Sequence, residues 1–127
     1  MEQSEQLLRQ AANNPKLGQA RCDEIDQCYI CVSEEYAHIF GYTVKEFLER
    51  FRHLERDMEL VHPEDREMLD TYYETTRSGW TALEYRILHR DGSVRHVREI
   101  IQQIVDEKGK LLESTSTLQD ISDSDRA

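Results

Sequence analysis

Two periods run through the apolar positions of this chain. Val44, Phe47, Leu48, Phe51 and Leu54 recur at three- and four-residue intervals, the spacing of one helix face. Thr43 precedes that run with Glu46 three residues on, a capping box, and Tyr42 and Phe47 are placed as its hydrophobic staple. A shorter helix is predicted just before it, capped by Ser33, with Glu34 and Glu35 in its first turn and Gly41 ending it. Its apolar face is Tyr36, Ile39 and Phe40. Met58, Leu60 and Val61 form an apolar connector. Pro63, Glu64 and Asp65 open another helix, with Met68, Leu69, Tyr72 and Tyr73 as its buried stripe and Ser78-Gly79 at its close. After Gly79 the period falls to two. Leu83, Tyr85 and Ile87 alternate with Glu84 and Arg86, Asp91-Gly92 marks a tight turn, and 94–105 is the return strand. Residues 107–110 form the next turn and 111–121 the final strand. Two short strands, 19–25 and 28–33, precede the helices. This order predicts an α+β domain, a five-stranded antiparallel sheet with helices on one face.

The amino-terminal residues form a separate unit. Leu7, Leu8 and Ala11 make a narrow apolar stripe that Asn13-Asn14-Pro15 ends, so 1–14 reads as a helix that caps the domain or contacts a second copy. The main domain is 15–122, and 123–127 reads as the start of a linker.

Composition narrows the function. The chain has 127 residues, with 16 Lys and Arg against 26 Asp and Glu, a net charge of −10. That balance disfavours nucleic acid, which demands clustered positive charge. The longest unbroken apolar run is Tyr29 to Val32, so no membrane contact is expected, and the segment reads as cytoplasmic. Cys22, Cys28 and Cys31 are odd in number and crowded, which fits structural thiols; Cys28-x-x-Cys31 is strand-like and lacks a second ligand pair, so no metal site is predicted. The five glycines lie far apart, so no phosphate-cradling loop is expected, and no zinc or nucleophile-elbow motif occurs. No enzyme is predicted. One cluster stands out against the acid: Arg86, His89, Arg90, Arg95, His96 and Arg98 surround a single hairpin. The bland reading is a solvated edge paired with Glu84, Asp91 and Glu99. The sharper one makes Arg86, Arg95, His96 and Arg98 an anion site.

The ordered segments Tyr29-Ile30-Cys31-Val32-Ser33, Phe40-Gly41-Tyr42-Thr43, Val61-His62-Pro63-Glu64-Asp65-Arg66 and Glu84-Tyr85-Arg86-Ile87 resemble a PAS domain of the bacterial sensory type. His89-Arg90-Asp91-Gly92-Ser93-Val94-Arg95, Asp106-Glu107-Lys108-Gly109 and Asp120-Ile121-Ser122 continue the resemblance through its carboxy-terminal PAC segment. In two places the chain departs from many relatives: His96 stands where they carry tryptophan, and Ser116 where they carry glycine.

The resemblance implies the PAS fold and a sensory or interaction module. Such a module dimerises, here with Leu7, Leu8 and Ala11 as contact candidates. It relays binding to a carboxy-terminal effector, a diguanylate cyclase or phosphodiesterase or a histidine kinase, through Asp120, Ile121 and Ser122. It also implies a ligand pocket between sheet and helices, with Ile30 or Cys31, Ile39, Phe40, Phe47, Leu69, Tyr85, Ile87 and Ile101 as lining candidates. A small organic ligand there competes with a core that side chains simply fill, and packing at this size favours the filled core. That alternative is a ligand-free dimerisation module. Flavin-adduct chemistry is excluded, because all three cysteines precede the segment where such relatives carry theirs. Haem, the second alternative, would need His53 or His62; the first sits at a polar helix edge and the second at a helix start, so no cofactor is predicted.

Overall fold

The computed structural model describes residues 17–75 and 79–122, so the stripe of Leu7, Leu8 and Ala11 and the linker 123–127 lie outside it. Its strands are β1 (Leu17–Asp23), β2 (Cys28–Val32), β3 (Gly79–Leu88), β4 (Val94–Val105) and β5 (Leu111–Asp120). They form one antiparallel sheet in the order β2-β1-β5-β4-β3. Four helices, α1 (Glu34–Ile39), α2 (Val44–Phe51), α3 (Leu54–Asp57) and α4 (Pro63–Thr75), lie between β2 and β3, with a 3-10 turn at Met58–Leu60.

The local signals act as the sequence dictates. Ser33 caps α1, its Oγ accepting the Tyr36 N–H at 3.2 Å and the Gln19 N–H of β1 at 2.9 Å, so one side chain starts a helix and ties it to the sheet. Both halves of the Thr43–Glu46 capping box are present on α2. Tyr42 stacks edge-on against Phe51 at 5.5 Å, one turn beyond the expected staple partner Phe47. Gly92 takes φ +92 in the β3–β4 turn, where a side chain would be strained. The helical run after Thr43 ends at Phe51, short of Leu54. Backbone bonds from Tyr29 N–H to Arg52 C=O and from Leu54 N–H to Gln27 C=O pull the chain back to the β2 edge there. Gly79 opens β3 instead of closing α4, and Met68 of the expected stripe is 45% exposed, because the buried face of α4 centres on Leu69.

The core lies where α1 and α2 meet the inner sheet face. Phe47, Leu69, Ile87, Val97 and Leu118 are its largest fully buried side chains. Tyr29, Tyr36, Phe40, Phe47 and Phe51 form a continuous aromatic cluster with centroid spacings of 5.3–6.2 Å. Gly18 allows α1 to sit this close: a Cβ there would lie 2.4 Å from Tyr36 Cα. At the other edge Val61 bridges to Ile87, and the His62 N–H donates to Arg86 C=O at 2.9 Å. The segment 54–61 is thereby strung from the β2 edge to the β3 edge.

Candidate functional site

Beneath that strung segment the sheet and the helices do not close. A cavity of about 470 Å³ remains, within the range of ligand pockets, roughly 300–1,000 Å³. Its roof is Leu54, Asp57, Met58, Leu60 and Val61, with Leu69 from α4 and Tyr36 and Phe40 from α1. Its floor comes from alternate residues of adjacent strands: Cys22 on β1, Ser114 and Ser116 on β5, Glu99, Ile101 and Gln103 on β4, and Tyr85 on β3. Cross-strand register makes this one surface, since Ile101 pairs with Ser116, which pairs with Ala20.

The floor carries a buried carboxylate. Glu99 is 5% exposed; Tyr85 Oη donates to its Oε1 at 2.9 Å, and Ser116 Oγ donates to its Oε2. Beside it Ser114 Oγ donates to Glu24 Oε2 at 2.7 Å. Across the cavity Tyr29 Oη donates to Asp57 Oδ2 at 3.1 Å and lies 3.3 Å from Tyr36 Oη. Burial raises the Asp57 carboxyl to about 7, opposed by the Tyr29 bond and reinforced by the charges of Glu99 and Glu24. Burial likewise pushes up the Tyr29 and Tyr36 hydroxyls and, with the nearby Glu24 and Asp57 charges, the Cys22 thiol. No lysine, arginine or histidine is among the described residues lining the cavity.

Of the pocket residues expected from sequence, Phe40, Leu69, Tyr85 and Ile101 line the cavity. Ile39, Phe47 and Ile87 are buried in the adjoining core. Ile30, 43% exposed, and Cys31 do not line it: a β-bulge between Arg21 and Cys22 leaves Ile30 without a cross-strand partner, so Tyr29 pairs with buried Cys22 and turns inward while Cys31 pairs with exposed Arg21. Glu99, grouped by its neighbours with the solvated edge, belongs inside. The signal that would have found it is the same alternation: Val97, Glu99 and Ile101 are all buried, one face of β4.

The four arginines of the basic hairpin are all bonded to carboxylates. Arg86 Nη2 meets Asp65 Oδ1 at 2.7 Å and Glu64 Oε2 at 3.2 Å, and Asp65 also accepts the Arg86 N–H. Arg98 pairs with Glu84, Arg90 with Glu46, and Arg95 with Asp91 and Asp120. These arginines clamp helix starts and turns to the sheet instead of converging on a shared empty site. His53 is exposed beside its bridge to Cys28, and His62 Nδ1 accepts the Glu64 N–H at 3.1 Å; neither lines the cavity.

The expected relay residues close the far end of the same strands. Asp120 Oδ1 accepts the Ser122 N–H at 2.9 Å, the Ile121 N–H donates to His96 C=O at 2.8 Å, and the His96 N–H donates to Ser122 Oγ at 2.9 Å.

No curated protein matches this sequence. Solved structures do match the fold. The amino-terminal domain of a diguanylate cyclase with a PAS/PAC sensor from Marinobacter aquaeolei superimposes with a TM-score of 0.74 at 20% identity, covering 87% of this chain and 99% of that one. A sensory box histidine kinase/response regulator from Burkholderia thailandensis gives 0.73 at 19% identity, covering 94% and 87%. The PAS domain of a Colwellia psychrerythraea protein gives 0.65 at 18%, covering 92% and 98%. No helix among the described residues is long and apolar enough to cross a membrane. The PAS fold family model matches residues 29–118, which takes in four of the five described strands, the four described helices and nearly the whole cavity wall, and the chain belongs to that family.

Proposed function

We propose that this domain is a sensory input module whose signal is a small molecule held in the cavity between sheet and helices. One observation carries the reading. The strands that form the cavity floor, β4 and β5, are the strands whose far ends hold Asp120, Ile121 and Ser122. Glu99 is three residues from His96, whose backbone grips Ile121 and Ser122, and Ser116 is four residues from Asp120. An occupant that moves Glu99 or Ser116 shifts the pairing that sets the exit angle of the chain. Output follows as a population shift between two packings of that exit. Diguanylate cyclase and histidine kinase proteins carry folds like this one, which supports an effector of either class beyond the exit strand. Self-association through Leu7, Leu8 and Ala11 is the matching proposal for the amino-terminal segment. Light scattering of a chain lacking 1–14 tests it, and an unchanged oligomer would sink it.

The relay is tested by hydrogen exchange on the protein with its cavity occupied and then emptied by mild denaturation, refolding and dialysis. Occupancy is read by mass spectrometry of the denatured extract. The reading requires protection to change at Ile121 and Ser122 together with the cavity strands. A change confined to the cavity strands would refute the relay.

A further inference from the structure

The chemistry of the cavity wall selects its occupant. Each hydroxyl has one proton to give, and here each is engaged inside the protein. Tyr85 and Ser116 donate to Glu99, Ser114 donates to Glu24, and Tyr29 donates to Asp57. Since Tyr29 has used its proton, the Tyr29–Tyr36 contact is a donation from Tyr36. The amide of Gln27 is turned the same way, donating to the backbone carbonyl and Oε1 of Glu24. Among the groups that face the space, Gln103 Oε1 is an acceptor that none of these donors reaches. That oxygen is buried and has no hydrogen-bond partner. A buried acceptor left unmade costs about 1–3 kcal/mol, so a complementary ligand donor offsets a standing penalty.

Charge points the same way. Glu24, Glu55, Asp57, Asp70 and Glu99 line the cavity, with no basic side chain among its described lining residues. An anionic ligand, or the carboxylate end of an amino acid, would meet that field unfavourably. The apolar part of the wall, Phe40, Leu69 and Ile101 with the faces of Tyr29 and Tyr36, suits a hydrocarbon or aromatic body and can meet a cation through ring faces.

We propose that the cavity binds a small organic cation, an ammonium or amidinium group on an apolar body without a carboxylate. The charged end sits among Glu99, Asp57 and Gln103 and the apolar end against Phe40 and Leu69. The inference rests on the sensory reading of the cavity but names the class of signal.

Three isosteric probes test it by calorimetry at pH 8, where Asp57 is ionised and the amine stays charged: phenethylammonium, 2-phenylethanol and phenylacetate. The expected order is ammonium first by ~10- to 100-fold over the alcohol, the difference a charge-assisted hydrogen bond makes, and phenylacetate last. Glu99→Gln keeps the size of the side chain and removes the charge, and should erase most of the ammonium's advantage while leaving the alcohol unchanged. Asp57→Asn provides the same comparison if the Glu99 variant does not fold. An alcohol or carboxylate that binds as tightly as the ammonium overturns the proposal. So does the failure of phenethylammonium, hexylammonium and benzamidinium all to bind at millimolar concentration. The sensory reading fails differently: the ammonium binds, yet exchange at Ile121 and Ser122 does not respond.

Discussion

Asp57 should make this domain less stable as pH rises through neutrality. Its carboxyl is turned inward to the buried Tyr29 hydroxyl, and burial lifts it from 3.8 to about 7. The sign follows from proton binding. Between those two values the folded state holds a proton that the unfolded chain releases, so stability declines with rising pH across the window and levels off above about 7. A gap of about three pH units, at 1.36 kcal/mol each, sets the full effect at ~4 kcal/mol, of which about 3 kcal/mol falls above pH 5. Asp57→Asn keeps an acceptor for Tyr29 and cannot ionise. Urea unfolding followed by circular dichroism at pH 5, 6, 7 and 8 measures the difference between the variant and the parent chain. The variant's relative stability should climb by about 3 kcal/mol from pH 5 to pH 8. A difference that stays flat over that range would show that the carboxyl is hydrated, and the account of a water-poor cavity roof would fall with it. Saturating phenethylammonium should reduce the climb, because a bound cation stabilises the ionised form.

Gly18→Ala should destabilise the domain by ~2–4 kcal/mol in thermal or urea unfolding, since its Cβ would meet the backbone of Tyr36 and α1 must shift outward. Thr43→Ala should cost about 1 kcal/mol by loss of the capping box, and an unchanged midpoint would contradict the cap's role. Asp120→Ala should speed amide exchange at Ser122 and Ile121 with little change in global stability, because its bond to the Ser122 N–H and its partly exposed pair with Arg95 both act at the strand exit. A thiol reagent should modify exposed Cys31 rapidly and spare Cys22, whose thiol is buried and pushed up; equal rates under native conditions would be incompatible with the core described.

Much of the fold could be read along the chain because its signals are local. The capping box at Thr43, the Ser33 cap and the Asp91-Gly92 turn act over three or four residues, and each appears where its residues stand. The boundaries that shifted are those set by distant partners. Nothing in 51–54 itself stops the helix at Phe51; backbone bonds from Arg52 and Leu54 to the β2 edge do. Met68 shows the same limit. Its spacing fits an apolar stripe, but the bonds of Asp65 to Arg86 and of Arg66 to the Val61 carbonyl tie α4 to the β3 edge, and the face turned inward carries Leu69.

The site was harder to read, for a reason that lies in its chemistry. An arginine or glutamate in a strand is ordinarily placed outside, and the hairpin from Arg86 to Arg98 obeys that rule: its guanidinium groups are held at the surface by Asp65, Glu84, Asp91 and Asp120. Glu99 stands one residue beyond Arg98 and reads along the chain as one of those charges, yet alternation turns it to the opposite face, between Val97 and Ile101. Charge density along the sequence mixes two faces that strand geometry keeps apart. Ser116, one of the two departures from the resemblance, bears on the same point. Its hydroxyl donates to Glu99, a bond that glycine could not supply. Ser116→Gly should therefore leave Glu99 with one fewer donor on the cavity floor and strengthen its demand for a cationic occupant. Against the parent chain, it should bind phenethylammonium more tightly and 2-phenylethanol no better in the same calorimetric assay. Equal gains for both probes would mean that Ser116 governs only the space in the cavity and not its charge.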